Sequence, residues 1–147
     1  VADPIPRVVV GAGDTASPGT HWYPGKNFTV GAAIFKNGAK QSWASITVAL
    51  LRFDPAIGSL RYLNGSNAWV TGDTPTQHDM AASPGDAKIA IKTFIATDTA
   101  SWNTEDIFII ATVSFENGIF YGADQITVTS TLNRHDGLAF DPTGLFT

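Results

Sequence analysis

The stretch Asp106-Ile107-Phe108-Ile109-Ile110-Ala111-Thr112-Val113-Ser114-Phe115 decides the fold. Ile107, Ile109, Ala111, Val113 and Phe115 recur at every second position. Residues two apart share one face of an extended chain, so this spacing predicts a strand with one apolar face. A surface helix would instead repeat its apolar residues three and four apart. The β-branched side chains of the stretch pack well on a pleated surface and poorly on a helix.

The same period extends outward in both directions. Arg7-Val8-Val9-Val10 is β-branched and follows two prolines. Residues 27–36 place Phe28, Val30, Ala32 and Ile34 on one face. Residues 45–53 are apolar on both faces, and residues 88–95 alternate Ile89, Ile91 and Ile95 against Lys88, Ala90 and Lys92. Residues 125–132 set Ile126, Val128, Ser130 and Leu132 against Thr127, Thr129 and Thr131. Asn37-Gly38, Asn64-Gly65 and Asn117-Gly118 stand between these runs, and Asn-Gly favours tight hairpins because both residues tolerate positive φ. Only residues 81–92 offer a helical alternative, and their β-branched members favour a strand. About nine short strands with regular turns predict one all-β domain over residues 1–147, an antiparallel two-sheet, jelly-roll-like sandwich. The expected core between the sheets is Ile91, Ile109, Ala111, Val113, Ile126 and Val128.

Composition narrows the function classes. Charged residues are 15%, against roughly 25% for an average soluble domain. The net charge is −4, and no run of Lys or Arg supplies a nucleic-acid footprint or a basic membrane-binding stretch. There are no cysteines, which excludes disulfides, Cys-zinc sites and thiol catalysis together. No apolar run reaches the roughly 18 residues needed to span a bilayer as a helix. A removed signal peptide would explain a start at Val1-Ala2-Asp3-Pro4 without Met, and trimming of a longer chain would explain it equally.

No catalytic constellation is visible. His21, His78 and His135 lie far apart in loops rich in Gly, Pro or Asp, where solvated side chains are expected. Asp98, Glu105, Asp106, Asp136 and Asp141 lack EF-hand spacing and read as turn or cap carboxylates; no metal ligand set and no cofactor are expected. Gly11-Ala12-Gly13 follows a strand but opens no helix, so it is no phosphate loop. Trp22, Tyr23 and Trp102 sit in or near loops and are candidates for stacking on sugars, or else caps on the core. Asn27-Phe28-Thr29 and Asn64-Gly65-Ser66 are N-glycosylation sequons, with Asn64 in the better-exposed turn.

One ordered set of motifs is more specific. Pro24-Gly25-Lys26 precedes the strand 27–36, and Leu51-Arg52-Phe53-Asp54-Pro55 ends a later one. Residues 105–115 and Gly122-Ala123-Asp124-Gln125-Ile126-Thr127-Val128-Thr129 follow, then the Asp136-Gly137 turn. This order resembles the cohesin-like domains of cell-surface and scaffold proteins. Lys26 stands where their pattern has an acidic residue, and Glu105-Asp106-Ile107 where it has Asp-Gly-Val. The resemblance implies a partner docked on a sheet formed by strands 45–53, 88–95 and 125–132. With Ala49, Leu51 and Phe53 inward, the docking residues would be Val48, Leu50, Arg52, Lys88, Ala90, Lys92, Phe94, Thr127, Thr129 and Thr131. The expected function is a non-catalytic extracellular or cell-surface module that binds another protein domain or identical subunits. A carbohydrate-binding sandwich and a phage or viral structural protein are the alternatives, because fold alone assigns no function.

Overall fold

A computed structural model describes residues 5–14, 21–22, 27–95 and 106–128. Twelve strands and no helix occur among them. They are β1 (Arg7–Asp14), β2 (His21–Trp22), β3 (Asn27–Lys36), β4 (Ala39–Gln41), β5 (Ser45–Asp54) and β6 (Ser59–Leu63). The rest are β7 (Trp69–Val70), β8 (His78–Asp79), β9 (Ala81–Ser83), β10 (Asp86–Ile95), β11 (Asp106–Phe115) and β12 (Gly118–Val128). The chain is therefore all-β, as the period-2 runs predict.

The strands form two sheets. Sheet A has the order β1-β3-β10-β9, with β4 also paired to β3. Sheet B has the order β2-β12-β11-β5-β6-β7, with β8 also paired to β5. Neighbours run antiparallel except for the two-residue β2–β12 pair, which is parallel. Val30, Ala32, Ile34, Ala90 and Phe94 from sheet A meet Ile46, Val48, Leu50, Ile107, Ile109, Ala111, Val113 and Phe115 from sheet B. All are buried, and removing their apolar surface from water is the main force that holds the sandwich together. A smaller cluster of Val9, Ala33, Phe35, Ile89 and Ile91 lies on the other face of sheet A.

Turn chemistry closes the hairpins where the sequence marks them. Asn37 and Gly38 both take positive φ (56° and 75°) between β3 and β4, the backbone a two-residue mirror-image turn needs. Between β11 and β12 the turn residues are Glu116 and Asn117, and Gly118 already pairs with Phe115. The Asn64 side chain accepts hydrogen bonds from the backbone N–H groups of Ser66 and Ala68, at 2.9 and 3.0 Å, and so shapes the β6–β7 loop. Asp54 shapes the β5–β6 turn in the same way, accepting from the Ala56 N–H at 3.0 Å.

At one point the sheets nearly touch. A Cβ at Gly122 would lie 2.6 Å from Val8 Cγ1 and 2.9 Å from the Val8 carbonyl oxygen. Only glycine lets β1 of sheet A settle this closely on β12 of sheet B.

Two expectations about facing are corrected. In β5 the interior row is Ile46, Val48, Leu50 and Arg52, while Phe53 is exposed and Leu51 half-exposed. The row is inverted because Arg52, which reads as a solvent-facing charge, points inward, with its guanidinium carbon 5.2 Å from the centre of the Trp69 ring. In β10 the buried Ala90 and Phe94 face the core, and Ile91 belongs to the outer cluster on sheet A. Ile109, Ala111 and Val113 are core residues as expected. The side chains of Ile126 and Val128 lie outside the described residues.

Candidate functional site

The face that the resemblance implies is not assembled. β5 and β12 share sheet B, but β10 pairs with β3 in sheet A. Val48, Leu50 and Arg52 are buried in the interior, as are Ala90 and Phe94. Lys88 is exposed and Lys92 half-buried, both on the other sheet. Thr127 pairs with Asp106 and His21 along the backbone, and Thr129 and Thr131 lie outside the described residues. So do Tyr23 and Trp102; Trp22 sits on β2, opposite Val128. Asn27 pairs with Ile95, and Asn64 stands in its loop. Among the described residues no three His, Cys, Asp or Glu side chains converge as metal ligands.

What does assemble is the outer face of sheet B. Register determines its rows. Leu51 lies between Phe108 and Tyr62, and Phe53 opposite Leu60. Ile110 lies between Ala49 and Ala123. Thr112 lies between Thr47 and Tyr121, and Ser114 between Ser45 and Ile119. The face is thus apolar at one end and edged by hydroxyls at the other. Its large side chains remain open to solvent: Tyr121 is 67% exposed, Ile119 62%, Phe53 and Leu60 48%, Phe108 39% and Ile110 38%. A recess of about 320 Å³ is sunk into it, lined by Leu51, Leu60, Phe108, Ile110, Ala123 and Asp124.

The sequence carries this signal in β11. Ile107-Phe108-Ile109-Ile110 is apolar on both faces, as is the run from Ile46 to Leu51. Ile119 and Tyr121 extend the face along β12. A strand with water on one side normally alternates with polar residues, so both runs mark the same outer surface.

The ion pairs lie apart from this surface and serve the fold, while Asp124 lines its recess and Asp79 pairs with Thr47 beside it. Arg61 Nε donates to Asp54 Oδ2 at 2.7 Å. That bond, with help from the Ala56 N–H, holds the Asp54 carboxyl below the usual carboxylate range. The Lys40 ammonium, 2.6 Å away, does the same for Asp86. Lys36 reaches Glu116 at 2.9 Å, tying the end of β3 to the β11–β12 turn. His78 is no solvated loop residue: its Nε2 donates to the Leu63 carbonyl at 2.9 Å, and its ring stands edge-on to Phe94, with centroids 5.1 Å apart.

No family model matches the sequence, and no curated protein matches it. Solved structures do. One is Spo0M, a sporulation control protein from Bacillus subtilis, with a TM-score of 0.44 and 12% identity. The match covers 89% of this chain and 51% of that one, so this chain spans about half the length of the structure it matches.

Proposed function

We propose that this protein is a non-catalytic assembly module, working outside the cell or at its surface, that meets a second copy of itself through the outer face of sheet B. The observation behind the proposal is the continuous exposed surface of Leu51, Phe53, Leu60, Phe108 and Ile110. Contiguous apolar surface of this kind usually marks an interaction site. Two features favour an identical partner. Across β5, β11 and β12 the rows through Phe108, Ile110, Thr112 and Ser114 carry no formal charge, and the carboxylates at their margin are Asp79, paired with Thr47, and Asp124, at the recess, so apolar contact rather than charge complementarity dominates the face. The same face also offers projecting side chains, Tyr121 and Ile119, beside an apolar recess. A two-fold contact needs a self-complementary patch, and a projection next to a hollow supplies one. The low charge of the whole chain supports a surface that spends its working life against other protein.

The test is sedimentation velocity over a concentration series up to about 1 mM, a weak-affinity limit. The native chain should self-associate. Phe108→Lys should remain monomeric, with stability within about 0.5 kcal/mol of the native protein, as for a surface change. A native chain that stays monomeric throughout refutes the proposal. A Phe108→Lys variant that assembles normally moves the contact elsewhere.

A further inference from the structure

A second site lies away from that face, at the seam between the two sheets. Along β10, Ala90, Lys92 and Phe94 share one row, because alternate residues of a strand point the same way. Ala90 and Phe94 are buried in the core, and the partner of Lys92 on β3 is the fully buried Val30. The lysine stem therefore leaves the sheet toward the interior, and its charged end must reach water along the seam. It arrives over the Phe94 ring, with Nζ 5.9 Å from the centroid. Lys36, Lys40 and Arg61 each meet a carboxylate, whereas none meets Lys92 among the described residues.

The ammonium borders a recess of about 250 Å³. Sheet A lines it with Lys92, Thr93 and Phe94, and sheet B with His78 and the loop residues Asn64, Gly65 and Asn67. The hydrogen-bonding inventory is specific. His78 Nε2 faces the Leu63 carbonyl, which can only accept, so Nε2 carries the proton of the neutral ring and Nδ1 is left as an acceptor. Asn64 uses its Oδ1 on two backbone N–H groups, which leaves its amide hydrogens as donors. The recess thus combines one positive charge, an amide donor and an acceptor nitrogen.

We propose that this recess binds a hydroxylated carboxylic acid, with a single uronic-acid sugar unit as the class that fits. The carboxylate meets Lys92, and a hydroxyl donates to His78 Nδ1. An oxyanion without a hydroxyl would set its lone pairs against Nδ1, and a neutral sugar would leave Lys92 without a counter-charge. The recess is smaller than the roughly 300–1,000 Å³ of drug-sized sites, which favours one ring over a chain.

The probe is glucuronate, titrated into the isotope-labelled protein and followed by amide chemical shifts; glucose and acetate serve as comparisons. Saturable shifts are expected at Asn64, His78, Lys92 and Thr93 with glucuronate, and weaker binding with either comparison compound. Lys92→Met keeps the apolar stem and removes the charge; it should weaken glucuronate binding about tenfold or more, the worth of a charge-assisted hydrogen bond. Asn64→Asp keeps the loop-shaping acceptor and adds a negative charge, and it should weaken binding as well. No saturable shift with glucuronate overturns the proposal. So does affinity unchanged in both variants, and acetate binding as tightly as glucuronate overturns the assignment to a sugar acid.

Discussion

Leu50 and Leu51 are adjacent leucines on the same strand, and their truncation should have very different consequences. Leu50 is fully buried, opposite the fully buried Ile109. Leu50→Ala removes three carbons, and at about 0.8 kcal/mol per buried methylene the transfer loss alone is about 2.4 kcal/mol. A cavity adds to this unless the surroundings collapse. Collapse is hindered here, because β5 is hydrogen-bonded to β11 along one edge and to β6 and β8 along the other. The total should fall in the upper part of the usual Leu→Ala range, about 3–5 kcal/mol. For a domain of this size that is a fall in Tm of roughly 6–20 °C. Leu51 is half-exposed on the outer face, and its truncation should cost about 1 kcal/mol or less. Paired thermal and urea unfolding of the two variants measures the contrast directly. Equal losses, or a larger loss for Leu51→Ala, would refute the facing of β5 and the outer face built upon it.

Two further outcomes follow from the geometry. Gly122→Ala drives a methyl group into Val8 Cγ1 and the Val8 carbonyl, and should cost about 1–3 kcal/mol by overpacking; a loss below about 0.5 kcal/mol in urea unfolding would show that β1 yields easily. Asp54 has a depressed carboxyl pKa in the folded chain, so its contribution to stability is present above the unfolded value near 3.8 and is lost as pH falls through the lower folded value. The Tm deficit of Asp54→Asn should therefore be largest near neutral pH and shrink below about pH 4, and a deficit that stays constant down to pH 2 would refute the Asp54–Arg61 assignment.

The sandwich is legible in the sequence because alternation and turn chemistry are local. Ile107 to Phe115 announces its own face, and Asn37-Gly38 its own turn. Facing is less legible where a strand is apolar on both sides. In β5 the charge within the apolar run, Arg52, would normally identify the wet side, yet it lies over Trp69 in the interior. In β10 Lys92 misleads in the same way, because its stem starts on the core side and its charge escapes at the seam. The division into sheets is illegible for another reason. Whether β10 joins β3 or β5 depends on pairings between segments far apart in sequence, and alternation says nothing about them. The outer apolar face becomes visible only when β5, β6, β11 and β12 are placed side by side.

The order of the strands also sets a timetable for the growing chain. Sheet A can begin early, since β1 and β3 are joined by a short stretch and pair along their length. Sheet B cannot. β5 ends at Asp54, and its neighbour β11 starts only at Asp106. Long-range pairing of this kind is slow, and chain that waits for it stays exposed to wrong partners. Ala123, on β12, is the last of the apolar residues that line the outer recess to be synthesised. A ribosome-bound fragment that stops short of it has no finished outer face.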